Sequence, residues 1–436
     1  MNWLKDNIKI LIFDLFDLSI LLGCKINSPS LVGAVLSIAI RRSVIISNRK
    51  NSDQSVIILD KSFGGDDVAA AFRETQCPHR IYIMQRRYLG TIFNHFFINY
   101  LNDINESNYD CFTRANTEKK NYRHFLNLVF NNLKKRIKLR SIISFNIFYF
   151  RERELQFAAR DLNIKFVVHH KESIHWGQKN KSNIIHWKKY FNFKPISKVS
   201  VYNQYTKDLI VEANLVKKEN IEVVGMPRTD DYFNLKKYNN KKHVLFLMIE
   251  KYASLPYYSN QWYENNFQKF DWNKLSLKVT KIVIDAAKKN KNIKFIFKTK
   301  PNESISEIEL VKNNNLSNCE IIKGGPSKKL IFNAKLIIAF NTTGIFEALI
   351  LKKNIVSPRL NIYPKKNYAR YSPDLKNLVF EPVNEIQMKN VIDQIIKHKL
   401  NIKIDNIKRN KLLIKHFNSL SGNSGKKLKN FLIKNI

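Results

Sequence analysis

The segment from Ala334 to Pro358 constrains the fold more than any other part of the chain. Leu336–Phe340 is an apolar run of strand length, Asn341-Thr342-Thr343-Gly344 is a polar turn, a helical stretch follows, and Asn354–Ser357 reads as strand again. A helix that opens just past a parallel strand turns unpaired N–H groups and the positive end of its dipole toward the crevice, which suits an anion such as phosphate. Glu347, in the first turns of that helix, would repel phosphate. It can instead accept hydrogen bonds from the paired hydroxyls of a sugar, as the acid of dinucleotide-binding folds does for ribose. Together the two features predict a nucleotide.

A chain of 436 residues exceeds what one hydrophobic core covers, so two domains are expected. Its hydrophobic content of 44% and aromatic content of 12% supply real cores. Cys24, Cys77, Cys111 and Cys319 lie far apart, which argues against a disulfide framework or a zinc site and fits a reducing compartment, the cytoplasm. The formal net charge of +39 is spread along a sequence rich in Lys, Asn and Ile. Such a diffuse field favours anionic partners: nucleotide donors, lipid phosphates or an anionic membrane surface, with a peripheral position on the inner face of the plasma membrane. No nucleic-acid module signature occurs, so membrane ranks above nucleic acid.

The apolar run Ile8–Cys24 is interrupted by Asp14 and Asp17, a poor pattern for a transmembrane helix, and no cleavage site follows a basic leader. Ser30–Ile46 is too short before Arg41 and Arg42. Both are expected as buried elements of the first domain, the rival being a membrane-docking element.

Along the first half, strands are expected at Ser55–Leu59, Arg80–Met84, Ser141–Phe145, Ile164–Val168, Lys198–Tyr202 and Ile221–Val224. Helices are expected from Asp66, as N-cap, to about Glu74, over residues 109–140, from Phe148 to Leu162 and from Thr206 to Ala213. Residues 235–242 are polar, without apolar periodicity, and read as a linker. Beyond them, strands at His243–Ile249, Lys294–Phe297, Cys319–Ile322, Leu336–Phe340, Asn354–Ser357 and Leu378–Phe380 alternate with helices near 274–290, 304–313, 326–333, 343–351 and 384–398. The expected fold class is therefore α/β, with two Rossmann-like doubly wound domains. The divisions are 1–234 for the first domain, 235–242 for the linker, 243–400 for the second domain, and 401–436 for a basic amphipathic helical segment that packs back on the first domain or lies on lipid.

Open parallel sheets bind ligands outside the carboxyl ends of their strands. Three polar groups fall there. His169-His170 emerge at the end of one strand, and an imidazole can take a proton from an acceptor hydroxyl near neutral pH; the plain alternative is a pair of histidines closing a strand. Lys298-Thr299-Lys300-Pro301 end another, where a lysine could neutralise a departing phosphate or simply belong to a solvated loop. Asn341-Thr342-Thr343 make the third, and a simple N-cap is its alternative. Gly64-Gly65-Asp66-Asp67 is a further acceptor-side candidate whose plainer role is a helix cap. Asp-x-Asp pairs, metal-ligand histidine clusters, phosphate-cradling glycine loops and nucleophile elbows are missing, so no metal or cofactor is expected and any phosphate chemistry would use a helix terminus and lysines as its clamp.

The order His169-His170, Tyr202-Asn203-Gln204-Tyr205-Thr206-Lys207-Asp208, Val224-Gly225-Met226-Pro227-Arg228-Thr229-Asp230, Lys298-Thr299-Lys300-Pro301, Asn341-Thr342-Thr343 and Glu347 resembles bacterial cell-surface polymer transferases of the GT-B fold. The similar groups are the CDP-glycerol glycerophosphotransferases of teichoic acid synthesis and the capsule transferases that use CMP-activated sugars. The resemblance covers residues 141–395. It implies His170 as base, standing where those enzymes have the histidine of a Trp-His-Gly motif, with Lys171 in place of the glycine and His169 as rival. It implies that Gly225, Arg228 and Asp230 belong to a domain-junction segment similar to Gly-Tyr-Pro-Arg-Asn-Asp. Lys298 and Lys300 correspond to a Lys-Pro-His-Pro donor motif in which Lys300 replaces histidine; Asn341, Thr342 and Thr343 stand at a Ser-Ser phosphate clamp, and Glu347 at a ribose-binding acid. The implied protein is a metal-independent GT-B transferase whose two domains face across a cleft, residues 1–234 binding the acceptor and residues 243–400 the nucleotide donor. It would move a sugar or polyol phosphate from a nucleotide-sugar or CDP-polyol donor to a polysaccharide or lipid-linked acceptor. The alternatives are a UDP-sugar 2-epimerase-like enzyme and a non-catalytic membrane-surface scaffold of polysaccharide assembly.

Overall fold

The computed structural model of the chain describes residues 2–41, 44–46, 54–60, 64–73, 77–172, 184–185, 187–189, 191, 198–234, 242–249, 272–299, 305–360 and 373–436. These divide into two compact units, the first holding residues up to Arg228 together with Asn423–Ile436, the second those of Thr229–Gly422. Of the expected linker, residues 235–241 lie outside the described residues, as does Lys300.

The first unit opens with two helices, α1 (Asn2–Lys25) and α2 (Pro29–Arg41). Its seven strands are β1 (Val44–Ile46), β2 (Ser55–Asp60), β3 (Arg80–Gln85), β4 (Leu139–Ser144), β5 (Lys165–His170), β6 (Lys198–Val201) and β7 (Ile221–Val223). They lie in the order β1-β3-β2-β4-β5-β6-β7, all parallel except β1 against β3. The strand order reverses between β2 and β4, which makes the carboxyl end of that pair the place where a ligand crevice opens. Between the strands run α3 (Gly64–Ala71), α4 (Arg86–Phe96), α5 (Asn116–Ile137), α6 (Arg153–Asp161) and α7 (Gln204–Glu212).

Strand alternation divides the apolar side chains between two layers. Ile57 and Leu59 of β2 join one core with α5, which buries Tyr122, Leu126, Val129, Phe130, Leu133 and Ile137 at helical spacing, while Val56 and Ile58 join the core on the other face. Helix α3 starts two residues earlier than expected, so Asp66 and Asp67 both sit in its first turn and Asp66 is not its N-cap. The cause is Gly64: a Cβ there would stand 2.3 Å from the ring of Phe145, so only glycine lets the helix begin this close to the end of β4. The expectation that Ile8–Cys24 is a buried element also needs correction. Ile20 and Cys24 are buried, but Leu11, Leu15, Leu18 and Leu22 of α1 are exposed. Apolar composition states that a segment needs cover, not which of its faces this chain covers.

The second unit is built on five parallel strands, β8 (His243–Leu247), β9 (Lys294–Thr299), β10 (Cys319–Lys323), β11 (Ala334–Ala339) and β12 (Asn354–Val356), in the order β10-β9-β8-β11-β12. Its order reverses between β8 and β11. The helices are α8 (Asp230–Asn234), α9 (Trp272–Lys289), α10 (Ile305–Asn313), α11 (Lys328–Asn333), α12 (Gly344–Ile350), α13 (Glu385–Ile396) and α14 (Asn406–Phe417). One core gathers Val244 and Phe246 of β8, Leu275, Val279 and Val283 of α9, and Met388, Ile392 and Ile395 of α13. The strand expected at Leu378–Phe380 shrinks to a single bridge between Phe380 and Val356.

The C-terminal segment is two helices, not one. Asn418 and Gly422 take left-handed backbone, with φ of 66° and 64°, and break the run. Helix α14 stays in the second unit, where His416 and Phe417 pack on Phe346 at ring distances of 4.6 and 6.2 Å. The last helix, α15 (Ser424–Asn435), rejoins the first unit and buries Leu428, Phe431 and Leu432 in the core that holds Val56 and Ile58. Both units are therefore α/β with parallel sheets, the fold class the alternation of elements predicts.

Candidate functional site

In the first unit the polar residues collect at the carboxyl ends of β5, β6 and β7. His169 and His170, successive residues of β5, point to opposite faces, and both are fully buried. His169 Nε2 lies 3.2 Å from Asp67 Oδ2, and its Nδ1 lies 2.9 Å from Ser200 Oγ. Asp67 is the hub. Its Oδ2 accepts from the Tyr202 hydroxyl at 2.5 Å and from Arg228 Nη1 at 2.9 Å, while its Oδ1 accepts from the Arg228 backbone N–H at 3.0 Å. Arg228 Nη1 also donates to the Tyr202 oxygen at 2.6 Å.

The electrostatics follow from that geometry. Burial pushes the Asp67 carboxyl up, but the Arg228 charge and the bonds from His169 and Tyr202 outweigh it and hold the group below the usual carboxylate range. Burial and the neighbouring carboxylate raise Tyr202 well above its ordinary value, so its hydroxyl keeps the proton it donates. An ionised carboxylate only accepts, so His169 carries a proton on Nε2 and engages both ring nitrogens. Ser200, His169 and Asp67 stand in the linear order of a nucleophile triad. Ser200, however, is fully buried inside β6, where no substrate carbonyl reaches its Oγ, and the row frames the sheet end instead.

His170 has different surroundings. Its Nδ1 accepts a long, 3.4 Å bond from the Ile147 N–H, and the Phe148 ring lies edge-on at 5.6 Å. Burial, only partly opposed by the Glu172 charge, pushes its pKa down to about 4. The ring is neutral at pH 7. Proton uptake at Nδ1 would require that the weak contact to Ile147 be given up. Gly225 holds a φ of 86°, which L side chains rarely adopt, and so turns the chain after β7 toward Arg228. Asp230 opens α8 in the second unit.

In the second unit the turn after β11 falls at the reversal of strand order. Asn341 is buried with a left-handed φ of 46°, Thr342 is half-buried and Thr343 is exposed. Thr343 occupies the N-cap position of α12 without capping it through its hydroxyl, and α12 is only seven residues long, under two turns. An added Cβ at Gly344 would meet the end of the Leu247 side chain at 2.5 Å, so a larger residue there would make that side chain shift. Glu347 accepts a hydrogen bond from the Tyr232 hydroxyl at 2.8 Å, and Asp231 of the same α8 turn pairs with Lys328 of α11. Lys298 is buried, and its ammonium donates to the carbonyls of Gly324 and, at 3.3 Å, Thr299. The structure thus assigns it a bond that ties the loop after β10 to β9.

Sequence reasoning found the histidines, Arg228, the Asn341 turn and Glu347. It reached Asp67 only as part of a capping loop, and it missed Ser200, Tyr232 and the Gly324-Gly325 turn, whose successive φ values are 59° and 73°. A Gly-Gly-Pro run directly after a strand is the signal that marks that turn.

No protein-family model matches the chain, and no curated protein matches it in sequence. Solved structures are similar in fold. UDP-GlcNAc 2-epimerase from Neisseria meningitidis bound to UDP-GlcNAc shares 11% identity over 88% of this chain and 100% of that one, with a TM-score of 0.47. The enzyme of the same name from Methanocaldococcus jannaschii shares 12% over 87% and 99%, with a TM-score of 0.46. A variant of the wall teichoic acid polymerase TagF shares 10% over 94% and 93%, with a TM-score of 0.45.

Proposed function

We propose that this protein is a transferase that moves a glycosyl or polyol-phosphate group from a nucleotide-activated donor to a cell-surface polysaccharide or lipid-linked acceptor. One observation carries the reading: in each unit, described motif residues that resemble the polymer transferases lie at the carboxyl end of a parallel strand, where α/β sheets bind ligands. In the second unit the Asn341-Thr342-Thr343 turn falls at the reversal of strand order itself. Asn341 to Thr343 and Glu347 are assigned to the donor nucleotide, with the Glu347 carboxylate as acceptor for sugar hydroxyls and the Tyr232 bond setting its position. Lys298 and Lys300 are assigned to the donor's phosphates. For Lys298 this role requires an exchange of its carbonyl partners for phosphate oxygens.

His170 is assigned as the base that takes the acceptor hydroxyl's proton at Nδ1 while the acceptor oxygen attacks the donor and the nucleotide leaves; because its ring is fully buried, this role requires that the side chains over it open to admit the acceptor. Burial keeps its ring neutral, the state a base needs. The Asp67–Arg228–Tyr202–His169 frame holds the end of β5 and is a positioning element. Gly225, Arg228 and Asp230 carry the chain from one unit into the next.

A thermal-shift panel of CMP, CDP, UDP and GDP tests the reading. Stabilisation by one of them, lost in Glu347→Ala, supports it; failure of all four removes the donor site. Incubation with UDP-GlcNAc alone separates the epimerase alternative, since an epimerised product without acceptor would replace transfer as the activity.

A further inference from the structure

Helix α1 presents two apolar faces, and the first unit covers only one. Phe13, Phe16, Ile20 and Cys24 pack into its core. Ile10, Leu11, Leu15, Leu18, Leu22 and Ile26 remain 54–62% exposed. The spacing of 11, 15, 18 and 22 puts four leucines in one row along the helix. The exposed apolar surface is on the order of 500 Å², the size at which a patch on a soluble protein marks a contact site.

Next to α1, helix α4 contributes to a cavity of about 260 Å³ lined by Arg86, Arg87, Leu89, Glu106, Phe150 and Arg151. Its lining holds three guanidinium groups and one carboxylate, and two of the three guanidinium groups are already paired. Arg86 pairs with Glu152 at 2.7 Å and Arg87 with Asp14 at 2.7 Å and with Asp17, whereas Arg151 makes no ion pair among the described residues and stands over the rings of Phe93 and Phe150. Arg87 joins the two features, because it lines the cavity and clamps α1.

We propose that α1 and this cavity form a docking surface for an anionic lipid membrane, the leucine row entering the boundary between headgroups and acyl chains and Arg151 holding a lipid phosphate. Charge complementarity selects lipid over a second copy of the chain. The row has the spacing of a coiled-coil seam, but the next seam position is Lys25, an exposed lysine that a helix pair would have to bury and that a lipid phosphate would pair. Asp14 and Asp17, the charges that oppose lipid, are both matched by Arg87. The net charge of +39 adds attraction at longer range. No helix among the described residues is long and apolar enough to cross a membrane, so the contact is with its surface. The proposal does not rest on the transferase reading.

Co-sedimentation of the full chain with vesicles tests it, using phosphatidylcholine alone and phosphatidylcholine mixed with phosphatidylglycerol. The intact protein should sediment with the mixed vesicles. Leu15→Asp combined with Leu18→Asp should weaken partitioning roughly tenfold or more, and Arg151→Gln about fivefold on the anionic vesicles only. All of these positions lie outside the assigned donor and acceptor residues, so nucleotide binding in solution should be unchanged and serves as the folding control. Equal sedimentation of the intact protein and the leucine variant overturns the proposal. So does an intact protein that ignores vesicles, or one that sedimentation velocity shows as a dimer dissociated by the leucine changes. Vesicle binding without nucleotide binding would leave the docking surface standing and remove the transferase.

Discussion

Replacing Arg228 with methionine removes the guanidinium bonded to Asp67 and leaves a fully buried carboxylate with three donors, Tyr202, His169 and the backbone N–H of residue 228. Breaking a buried pair by deleting one partner costs about 3–5 kcal/mol, and the 18% exposure of the Arg228 side chain puts the expectation at the lower end, about 3 kcal/mol. For a unit of this size that is a fall in melting temperature of roughly 6–12 °C. The loss should depend on pH. In the intact protein Asp67 lies below its unfolded value, so its contribution is present above pH ~3.9 and disappears as pH falls through the folded value. In the variant the Arg228 charge no longer opposes burial, which should lift Asp67 above its unfolded value, so acidification toward that value should stabilise the folded state. The gap between the two proteins therefore narrows as pH falls from 7.5 to 4.5. The double variant Asp67→Asn, Arg228→Met should be more stable at pH 7.5 than Arg228→Met alone, because the uncompensated charge is gone. Urea or thermal melts of the four proteins of the cycle measure this coupling; strictly additive losses, within about 0.5 kcal/mol, would refute an ionised Asp67 held by Arg228.

Three further outcomes follow from the same geometry. His170 titrates near 6.5 when unfolded and near about 4 when folded, so the unfolded chain takes up the proton first and stability should fall by roughly 3 kcal/mol as pH drops through that window; His170→Gln should flatten the dependence, and an unchanged slope in melts from pH 7 to 4 would contradict the burial argument. Gly64→Ala drives a methyl group to within 2.3 Å of the Phe145 ring and should cost about 1–3 kcal/mol in thermal melts, whereas a neutral change would mean that α3 can draw back from β4 freely. Glu347→Ala should weaken the stabilising nucleotide by about 1–3 kcal/mol in calorimetry, and equal affinity would remove Glu347 from the site.

What could be read from the sequence was what local chemistry determines. β11, the polar turn, α12 and β12 lie within about two residues of their expected bounds because an apolar run, an Asn-Thr-Thr-Gly turn and a helical stretch are each local signals. The Asp67–Arg228 hub was not legible in the same way. Its partners lie 161 residues apart, and only the sheet order brings β2's helix, β5, β6 and the segment after β7 to one edge. An aspartate in a Gly-Gly-Asp-Asp run carries a cap signal whether or not an arginine arrives from elsewhere. Nor did the apolar N-terminus reveal its exposed face, because hydrophobicity is a property of residues and cover is a property of neighbours. The return of α15 to the first unit was open for the same reason: its amphipathic pattern fits a protein face and a lipid face equally.

The most direct test of the central claim is acceptor-dependent release of nucleotide from an activated donor. The purified protein is offered CDP-glycerol, CMP-activated sugars and UDP-sugars, each with and without a polysaccharide or lipid-linked acceptor preparation. The account predicts release that needs the acceptor, stops in His170→Ala, and leaves donor affinity in that variant intact. Near-normal transfer by His170→Ala would contradict the assigned base, and absence of acceptor-dependent release with every donor that binds would contradict the transferase itself.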